Sequence, residues 1–289
     1  MKVLILGGNG MFGSMVATVL AAHRDYKVEQ TMRSGARMHA GVANVPTHRC
    51  DVLDTDAIVR VLVEVRPDCV VNCTGLIKQR PESANVLAIF PINALFPHRL
   101  ARLCDGIGAR LIQFSTDCVF SGKTGSYADD SPADTRDNYG LSKWIGEVRD
   151  QKHVLTLRTS IIGHEAGGTY QLVDWFLAQE GTISGYRRAI FSGFPTVEIG
   201  RILADYVLPK NDIHGVYNIS AEPVSKYDLL RLVRDVYDKK ITIIPDDTVA
   251  IDRSLDSSSL RSLLGYIPPR WPDLIAQMRR TRPSFTRAN

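Results

Sequence analysis

The stretch Val3–Gly13, with the sequence VLILGGNGMFG, decides the fold class of this chain. Its four leading apolar residues form an uninterrupted run, which is typical of a strand buried on both faces of a parallel sheet. Beyond the glycines the period changes, because Phe12, Val16 and Leu20 recur at helical spacing. The stretch therefore predicts a strand, a glycine turn and a helix, the first unit of an α/β fold.

The glycines Gly7, Gly10 and Gly13 have the spacing of a dinucleotide-binding turn. Such glycines permit a tight turn, let backbone amides approach a pyrophosphate, and let the helix pack closely on the strand. We expect Met11 and Phe12, at the start of the helix, to contact the cofactor as well. The alternative is an ordinary strand-to-helix turn.

The second predicted strand, Tyr26–Met32, is followed by Arg33 and Ser34. A site that prefers NAD usually offers Asp or Glu to the adenosine ribose about 20 residues past the glycines. Here the acid is missing, and a guanidinium with a hydroxyl could hold a 2′-phosphate. NADPH is therefore the predicted cofactor, with NADH as the alternative if Arg33 is only a surface residue.

Apolar strands and amphipathic helices continue to alternate along the chain, which predicts a doubly wound parallel sheet of the Rossmann type. Further predicted strands are Cys69–Val71, Arg110–Phe114, Val154–Leu157 and Val216–Ile219, and predicted helices include Ala57–Val65, Ala94–Cys104 and Tyr139–Arg149. Residues 1–163, with an interleaved segment at about 196–220, are predicted to form the dinucleotide-binding domain. Residues from about 164 to 195 and 221 to 289 are predicted to form a smaller α/β substrate-binding lobe.

The strongest chemical signal is Tyr139-Gly140-Leu141-Ser142-Lys143. Tyr139 and Lys143 are four residues apart on a predicted helix and share one face, so the ammonium could lower the pKa of the phenol below its usual value of about 10. Thr116 follows a predicted strand at the sheet edge where parallel sheets bind ligands, and its hydroxyl could donate to a carbonyl oxygen. These three residues are the predicted catalytic set.

The composition excludes several other classes of protein. Lys and Arg number 35 against 31 Asp and Glu, without a run of five or six like charges, which argues against a nucleic-acid partner. The five cysteines form no CxxC pair and the seven histidines have no partner at zinc spacing, so no metal is predicted. No apolar run approaches the roughly 18 residues of a membrane span or suggests a signal segment. We therefore expect a cytoplasmic protein without a membrane partner.

The chain resembles the extended short-chain dehydrogenase/reductases, and within them the dTDP-4-dehydrorhamnose reductase family. The residues that carry the resemblance are the N-terminal glycines, Asp51-Val52, Val71-Asn72 with Thr74-Gly75, Asn93 with Pro97, Ser115 to Gly122, Tyr127 to Asp130, Tyr139 to Lys143 with Gly146-Glu147, Leu157 to Ser160, and Arg253 to Asp256. The chain departs from the family at Gly75–Lys78 and Ile161–Gly163. The nucleotide and the sugar therefore remain open.

The resemblance implies roles for individual residues. Tyr139 would be the acid, Lys143 would hold the nicotinamide ribose and tune Tyr139, and Thr116 would polarise the carbonyl. The residues implied to contact the cofactor are Asp51, Val52, Thr74 and Gly75. Candidates for the substrate, its diphosphate in particular, are Lys78, Arg187, Arg188 and Arg253, because paired arginines can clamp phosphates.

The activity implied is NADPH-dependent reduction of a nucleoside-diphosphate 4-keto-6-deoxyhexose, a step of deoxysugar and cell-surface polysaccharide biosynthesis. A homodimer is the expected assembly. Two alternatives remain open: an epimerase or dehydratase on the same fold, and a non-catalytic NADP-binding regulatory subunit like that of methionine adenosyltransferase. Asp117 after Thr116 is compatible with a dehydratase, but Cys118 stands where a dehydratase would carry Glu.

Overall fold

The structure, a computed structural model, describes residues 1–33, 37–165 and 168–287. The strands of these residues are β1 (Lys2–Leu6), β2 (Lys27–Met32), β3 (Arg37–His39), β4 (Thr47–Arg49), β5 (Cys69–Asn72), β6 (Arg110–Thr116), β7 (Val154–Thr159), β8 (Ile161–Ile162), β9 (Thr182–Tyr186), β10 (Ala189–Phe191), β11 (Phe194–Pro195), β12 (Gly215–Asn218), β13 (Val224–Ser225), β14 (Thr242–Asp246), β15 (Ile251–Asp252) and β16 (Phe285–Arg287). The α-helices are α1 (Met11–Ala21), α2 (Thr55–Val65), α3 (Val86–Phe90), α4 (Phe96–Gly106), α5 (Asn138–Ile145), α6 (Leu172–Ala178), α7 (Thr196–Ile202), α8 (Lys226–Val236), α9 (Ser258–Leu264) and α10 (Trp271–Arg280).

A parallel sheet of seven strands in the order β12-β7-β6-β5-β1-β2-β4 forms the centre of the molecule. The chain runs outward from β1 to β4 on one side, then returns to β5 and runs outward to β12 on the other. The order reverses between β1 and β5, which is where doubly wound sheets bind their ligands. The predicted fold class is confirmed.

The apolar run of β1 is buried because both faces of the sheet are covered by helices. Val3 and Ile5 pack in a core with residues of α1 and α7, whereas Leu4 and Leu6 pack in a second core with residues of α2 and α4. Successive side chains of a strand point to opposite faces, so a strand between two helical layers needs an apolar residue at every position.

The later part of the chain forms small sheets beside the central one. Strands β13, β10 and β15 form one of them, and β9 pairs with β14 in another. Strand β12 instead returns to the central sheet and pairs with β7, from Gly215 opposite Leu155 to Asn218 opposite Arg158. The boundaries of the two lobes stay a prediction.

Two helices differ from the sequence prediction. The predicted helix Tyr139–Arg149 ends at Ile145, because Gly146 passes too close to Asn93 for a side chain and the chain turns inward there. The predicted helix Ala94–Cys104 is the end of a longer helical segment that starts at Val86 and contains a π-helical turn at Pro91–Leu95. Pro91 has no N–H to donate, and the N–H of Phe96 bonds back five residues to its carbonyl.

None of the helices in the described ranges is both long and apolar enough to cross a membrane.

Candidate active site

A cavity of about 210 Å³ opens at the carboxyl ends of the central strands. The elements around it are the turn after β1, the loops after β5 and β6, helix α5 and the segment that follows β7. Its lining residues are Met11, Phe12, Asn72, Cys73, Thr74, Gly75, Leu76, Ile77, Lys78, Gln79, Phe114, Ser115, Thr116, Cys118, Tyr139, Lys143, Thr159, Ser160, Ile161 and Gln171. The predicted catalytic residues Thr116, Tyr139 and Lys143 thus meet at one cavity.

The glycine turn fits a dinucleotide. Gly7 has a φ of 82°, a left-handed conformation that favours glycine. A Cβ at Gly13 would lie 2.2 Å from the carbonyl oxygen of Gly7, so α1 begins directly against β1. Its N-cap residue is Gly10, which leaves the first amides of α1 without a side-chain cap, and Met11 and Phe12 reach the cavity. A helix start of this kind favours a pyrophosphate.

The other predicted cofactor residues are distributed along the edge of the sheet. Thr74 and Gly75 line the cavity, and both the N–H and the hydroxyl of Thr74 donate to Oδ1 of Asn72, at 3.1 and 2.5 Å. Asp51 is exposed and accepts a bond from the N–H of Leu53 at 3.0 Å.

Three more residues are predicted to contact the cofactor: Val52, Arg33 and Ser34. Val52 is half-buried beside the core that contains Leu4 and Leu6, and Arg33 is exposed directly after β2. Ser34 lies outside the described residues.

Thr116 and Tyr139 come from different elements. Thr116 ends β6 and is buried; its hydroxyl donates to Oδ1 of Asp117 at 3.0 Å and accepts the N–H of Cys118 at 3.2 Å. Tyr139 stands in the first turn of α5, whose N-cap Asp137 accepts the N–H of Gly140 at 2.9 Å. The cap fixes where the helix begins and therefore where Tyr139 enters the cavity.

The pKa of Tyr139 corrects one prediction. Burial raises the pKa of this phenol above its ordinary value, and the nearby Cys118 and Asp117 act in the same direction, while the Thr116 hydroxyl acts against them. The net shift is therefore upward, contrary to the decrease predicted from the four-residue spacing of Tyr139 and Lys143. Desolvation outweighs the helical neighbour, and the phenol is protonated at neutral pH.

Lys143 is buried, and its Nζ donates to the carbonyl oxygen of Phe114 at 2.5 Å. Burial lowers the pKa of its ammonium to about 8, against the opposing influence of Glu147 and Cys73. The cavity thus holds a protonated phenol and an ammonium that loses its proton just above neutral pH.

The predicted substrate residues divide into two groups. Lys78 lines the cavity, and its Nζ lies 2.9 Å from Oδ2 of Asp137. Arg253 donates from Nε to the carbonyl oxygen of Phe120 at 2.8 Å, and its charge opposes the rise that burial causes in the pKa of Asp117. Lys78 thus lies at the cavity, whereas Arg253 does not line it and acts on Asp117, the residue after Thr116.

Arg187 and Arg188 are exposed and do not line the cavity. The guanidinium of Arg187 is paired with the carboxylate of Asp247. Their role toward a substrate stays a prediction, and the structure does not bring them together with Thr116 and Tyr139.

The cavity is also lined by residues that the sequence did not predict as site residues, among them Leu76, Ile77, Gln79, Cys118 and Gln171. The first three follow β5 at its carboxyl end, so the rule that located Thr116 could have located them as well. Gln171 enters from a loop far along the chain, for which the sequence offers no signal.

Among the described residues, no group of three or more His, Cys, Asp or Glu side chains is arranged to hold a metal ion. All five cysteines are free thiols. The cavity lining offers a phenol, an ammonium and a hydroxyl beside the glycine turn that fits a dinucleotide.

Comparison with known proteins identifies a family and several relatives. A family model described as the RmlD substrate binding domain matches residues 1–256. A probable low-salt glycan biosynthesis reductase of Haloferax volcanii is 32% identical over 180 residues, which cover 61% of this chain and 58% of that protein. A dTDP-4-dehydrorhamnose reductase of Streptomyces griseus is 32% identical over 148 residues, 50% of this chain and 43% of the reductase. The chain thus spans about half of the length of these relatives.

A third relative has a different role in its name. The methionine adenosyltransferase 2 subunit beta of Danio rerio is 26% identical over 249 residues, which cover 82% of this chain and 74% of that subunit.

Among solved structures, dTDP-4-dehydrorhamnose reductase of Bacillus anthracis in complex with NADP superposes with a TM-score of 0.78 at 19% identity, covering 97% of this chain and 99% of the other. That similarity concerns the fold.

Proposed function

Because this chain belongs to the RmlD substrate binding domain family, we propose that it is a reductase that uses NADPH to convert the keto group of a nucleoside-diphosphate 4-keto-6-deoxyhexose into an alcohol. The observation that carries the proposal is that Thr116, Tyr139 and Lys143 meet at one cavity with the start of α1. Two relatives with reductase in their names support the reaction class. NADPH is favoured over NADH by Arg33 after β2 and by the absence of an acid there.

Tyr139 is the proposed proton donor. Reduction of a ketone adds a hydride to the carbonyl carbon and a proton to the carbonyl oxygen, and the bound nicotinamide supplies the hydride. The raised pKa of Tyr139 keeps its phenol protonated at neutral pH, so the proton is available when charge develops on the substrate oxygen.

Thr116 and Lys143 are proposed to stabilise and position that oxygen. The hydroxyl of Thr116 is held at the end of β6 and can rotate from Asp117 toward a substrate oxygen without movement of the backbone. The ammonium of Lys143 is fixed by the carbonyl of Phe114 and places a positive charge one helical turn from Tyr139. That charge favours the phenolate that remains after proton transfer.

Lys78 and Arg253 are the proposed contacts to the nucleotide diphosphate. Lys78 lines the cavity, the charge of Arg253 acts on Asp117, and both cations have polar partners that hold them in place. Guanidinium and ammonium groups held in this way bind phosphate oxygens with charge-assisted hydrogen bonds. Arg187 and Arg188 are the more distant candidates.

A panel of dTDP-, UDP-, GDP- and CDP-linked 4-keto-6-deoxyhexoses tests the proposal. We expect the loss of NADPH absorbance with at least one member, in a one-to-one ratio with an alcohol identified by NMR. A product without net loss of NADPH would indicate an epimerase or a dehydratase. Binding of NADPH without turnover of any member would favour a regulatory subunit, the role named for the Danio rerio relative.

The proposed assembly is a homodimer. Helices α3 and α5 and the π-helical turn between α3 and α4 pack together and leave Val86, Leu87, Leu95, Trp144 and Ile145 exposed. A second copy covering these side chains would remove apolar surface from water. Light scattering should give twice the mass of one chain, and Leu87→Glu should reduce that mass.

A cytoplasmic location, where free thiols stay reduced, is also part of the proposed function.

A further inference from the structure

A buried acidic residue, Glu147, lies directly behind the catalytic residues. Its side chain has no exposed surface, and it follows Lys143 by four residues. Gly146 allows the chain to bring Glu147 into the interior, because only a residue without a side chain fits there: a Cβ would lie 2.0 Å from the carbonyl oxygen of Asn93. Helix α5 therefore ends against the segment that contains Asn93, and the side chain of Glu147 lies inside the protein instead of in solvent.

Three side chains bind the Glu147 carboxylate. Arg158 of β7 donates from Nε to Oε1 at 2.7 Å and from Nη2 to Oε2 at 2.8 Å. Ser115 of β6 donates to Oε1 at 2.8 Å, and Arg149 pairs with Oε2 from a half-exposed position. Arg158 is itself buried, and its remaining Nη1 donates to the carbonyl oxygen of Asp129 at 2.9 Å.

Lys143 also joins helix α5 to strand β6. Its Nζ bonds to the carbonyl of Phe114, and the hydroxyl of the next residue, Ser115, bonds to Glu147. The residue after that is Thr116. Two hydrogen bonds thus fix the end of β6, one to Lys143 of α5 and the other to Glu147, two residues after α5 ends. They do so where Thr116 and Lys143 reach the cavity.

Building on the function proposed above, we propose that Glu147 is a positioning residue that keeps Lys143 charged and holds the end of β6 in register with α5. The ammonium of Lys143 bonds to the carbonyl of Phe114 on β6, the charges that act on it are those of Glu147 and of Cys73 after β5, and Tyr139 lines the same cavity. The groups that face Glu147 are Ser115, Arg149 and Arg158. Glu147 is therefore the carboxylate whose charge offsets the burial of the Lys143 ammonium.

The sign of the effect follows from electrostatics. Desolvation lowers the pKa of Lys143 to about 8, and the charge of Glu147 acts against that decrease. Removal of the carboxylate charge takes away the largest influence that opposes desolvation, so the pKa of Lys143 must fall further. A residue with a purely structural role would leave this pKa unchanged.

The test is an NMR titration of protein labelled with 13C at the lysine Cε and saturated with NADPH. The Lys143 resonance is assigned by its loss in Lys143→Arg. We expect Glu147→Gln to lower the titration midpoint by about one pH unit or more. Glu147→Asp retains the charge and should keep the midpoint near that of the parent protein. Ser115→Ala removes a hydrogen bond without a charge and serves as the matched control.

An unchanged midpoint in Glu147→Gln would overturn the proposal. If that variant does not fold, because Arg158 is left buried without a partner, Arg149→Ala provides the second measurement. Arg149 is half-exposed, and its removal should raise the Lys143 midpoint, since Glu147 would be less neutralised. An unchanged or lower midpoint would contradict the proposal.

Kinetics extend the same test. With a substrate from the panel, the decrease of kcat/KM at alkaline pH should shift in Glu147→Gln by the same amount as the Lys143 midpoint. A uniform loss of activity at all pH values would indicate a structural role alone. The NMR midpoint needs no turnover, so failure of the proposed reaction and failure of this proposal give different results.

Discussion

The ammonium of Lys143 donates to the carbonyl oxygen of Phe114 at 2.5 Å, which joins helix α5 to strand β6 two residues before Thr116. This bond holds a charged group in a buried position, where desolvation lowers its pKa. As a result, the bond fixes the position of the charge relative to Tyr139 and Thr116, and the stability of the protein depends on pH.

Lys143→Met tests this relationship through stability. The parent protein carries a buried charge below about pH 8, and that cost disappears as the pH rises from about 8 to the ordinary lysine value of 10.5. Relative to Lys143→Met, the free energy of unfolding of the parent should therefore increase across this window, by up to about 1.4 kcal/mol per pH unit. Urea denaturation of both proteins at pH 7.5 and 9.5 measures the difference. A difference that does not change with pH would contradict the buried charge.

Tyr139→Phe should reduce kcat by about 100- to 10,000-fold, because the phenylalanine ring fills the same space without a proton to donate. The Kd for NADPH, measured by fluorescence titration, should stay within about threefold of the parent value, since the glycine turn and Lys143 are intact. Turnover at the parent rate in this variant would exclude Tyr139 as the acid.

Gly13→Ala should lower the free energy of unfolding by about 1–3 kcal/mol and weaken NADPH binding, because its Cβ would lie 2.2 Å from the carbonyl oxygen of Gly7. Gly10→Ala is the matched control for stability. A Cβ at Gly10 would meet the same oxygen at 3.5 Å, an ordinary contact. Thermal denaturation should therefore show a lower Tm for Gly13→Ala alone, and equal Tm values would contradict the close approach.

Arg33→Ala should raise the Kd for NADPH about tenfold or more and leave the Kd for NADH unchanged, because only NADPH carries the 2′-phosphate. Lys27→Ala is a suitable control, since Lys27 is exposed at the opposite end of the same strand. Isothermal titration calorimetry with NADPH and with NADH gives the Kd of each cofactor for the parent protein and for the variant. An equal loss of affinity for NADPH and NADH would assign Arg33 a role other than phosphate recognition.

Much of the fold could be predicted from local sequence. The run Val3–Leu6 and the runs at Cys69 and Leu111 are apolar at successive positions, because helices cover both faces of a parallel sheet. The proximity of Thr116 and Tyr139 is also predictable, because a strand end and a capped helix each have a local signature.

Other features depend on contacts between distant segments. The end of α5 at Ile145 is set by the approach of Gly146 to Asn93, more than 50 residues earlier in the chain. The raised pKa of Tyr139 reflects burial, which the spacing of Tyr139 and Lys143 does not encode. The pairing of Glu147 with Arg158 likewise requires the register of β6 and β7 to be known.

Transfer of deuterium from [4-²H]NADPH, prepared as both stereoisomers, tests the central proposal most directly. With a 4-keto-6-deoxyhexose nucleotide that the protein consumes, one of the two isomers should deliver one deuterium to the former carbonyl carbon, with one NADP⁺ formed per alcohol. Carbon and deuterium NMR of the product detect the label. An alcohol without deuterium from either isomer, or unlabelled sugar recovered together with intact cofactor, would contradict the assignment of this chain as a reductase.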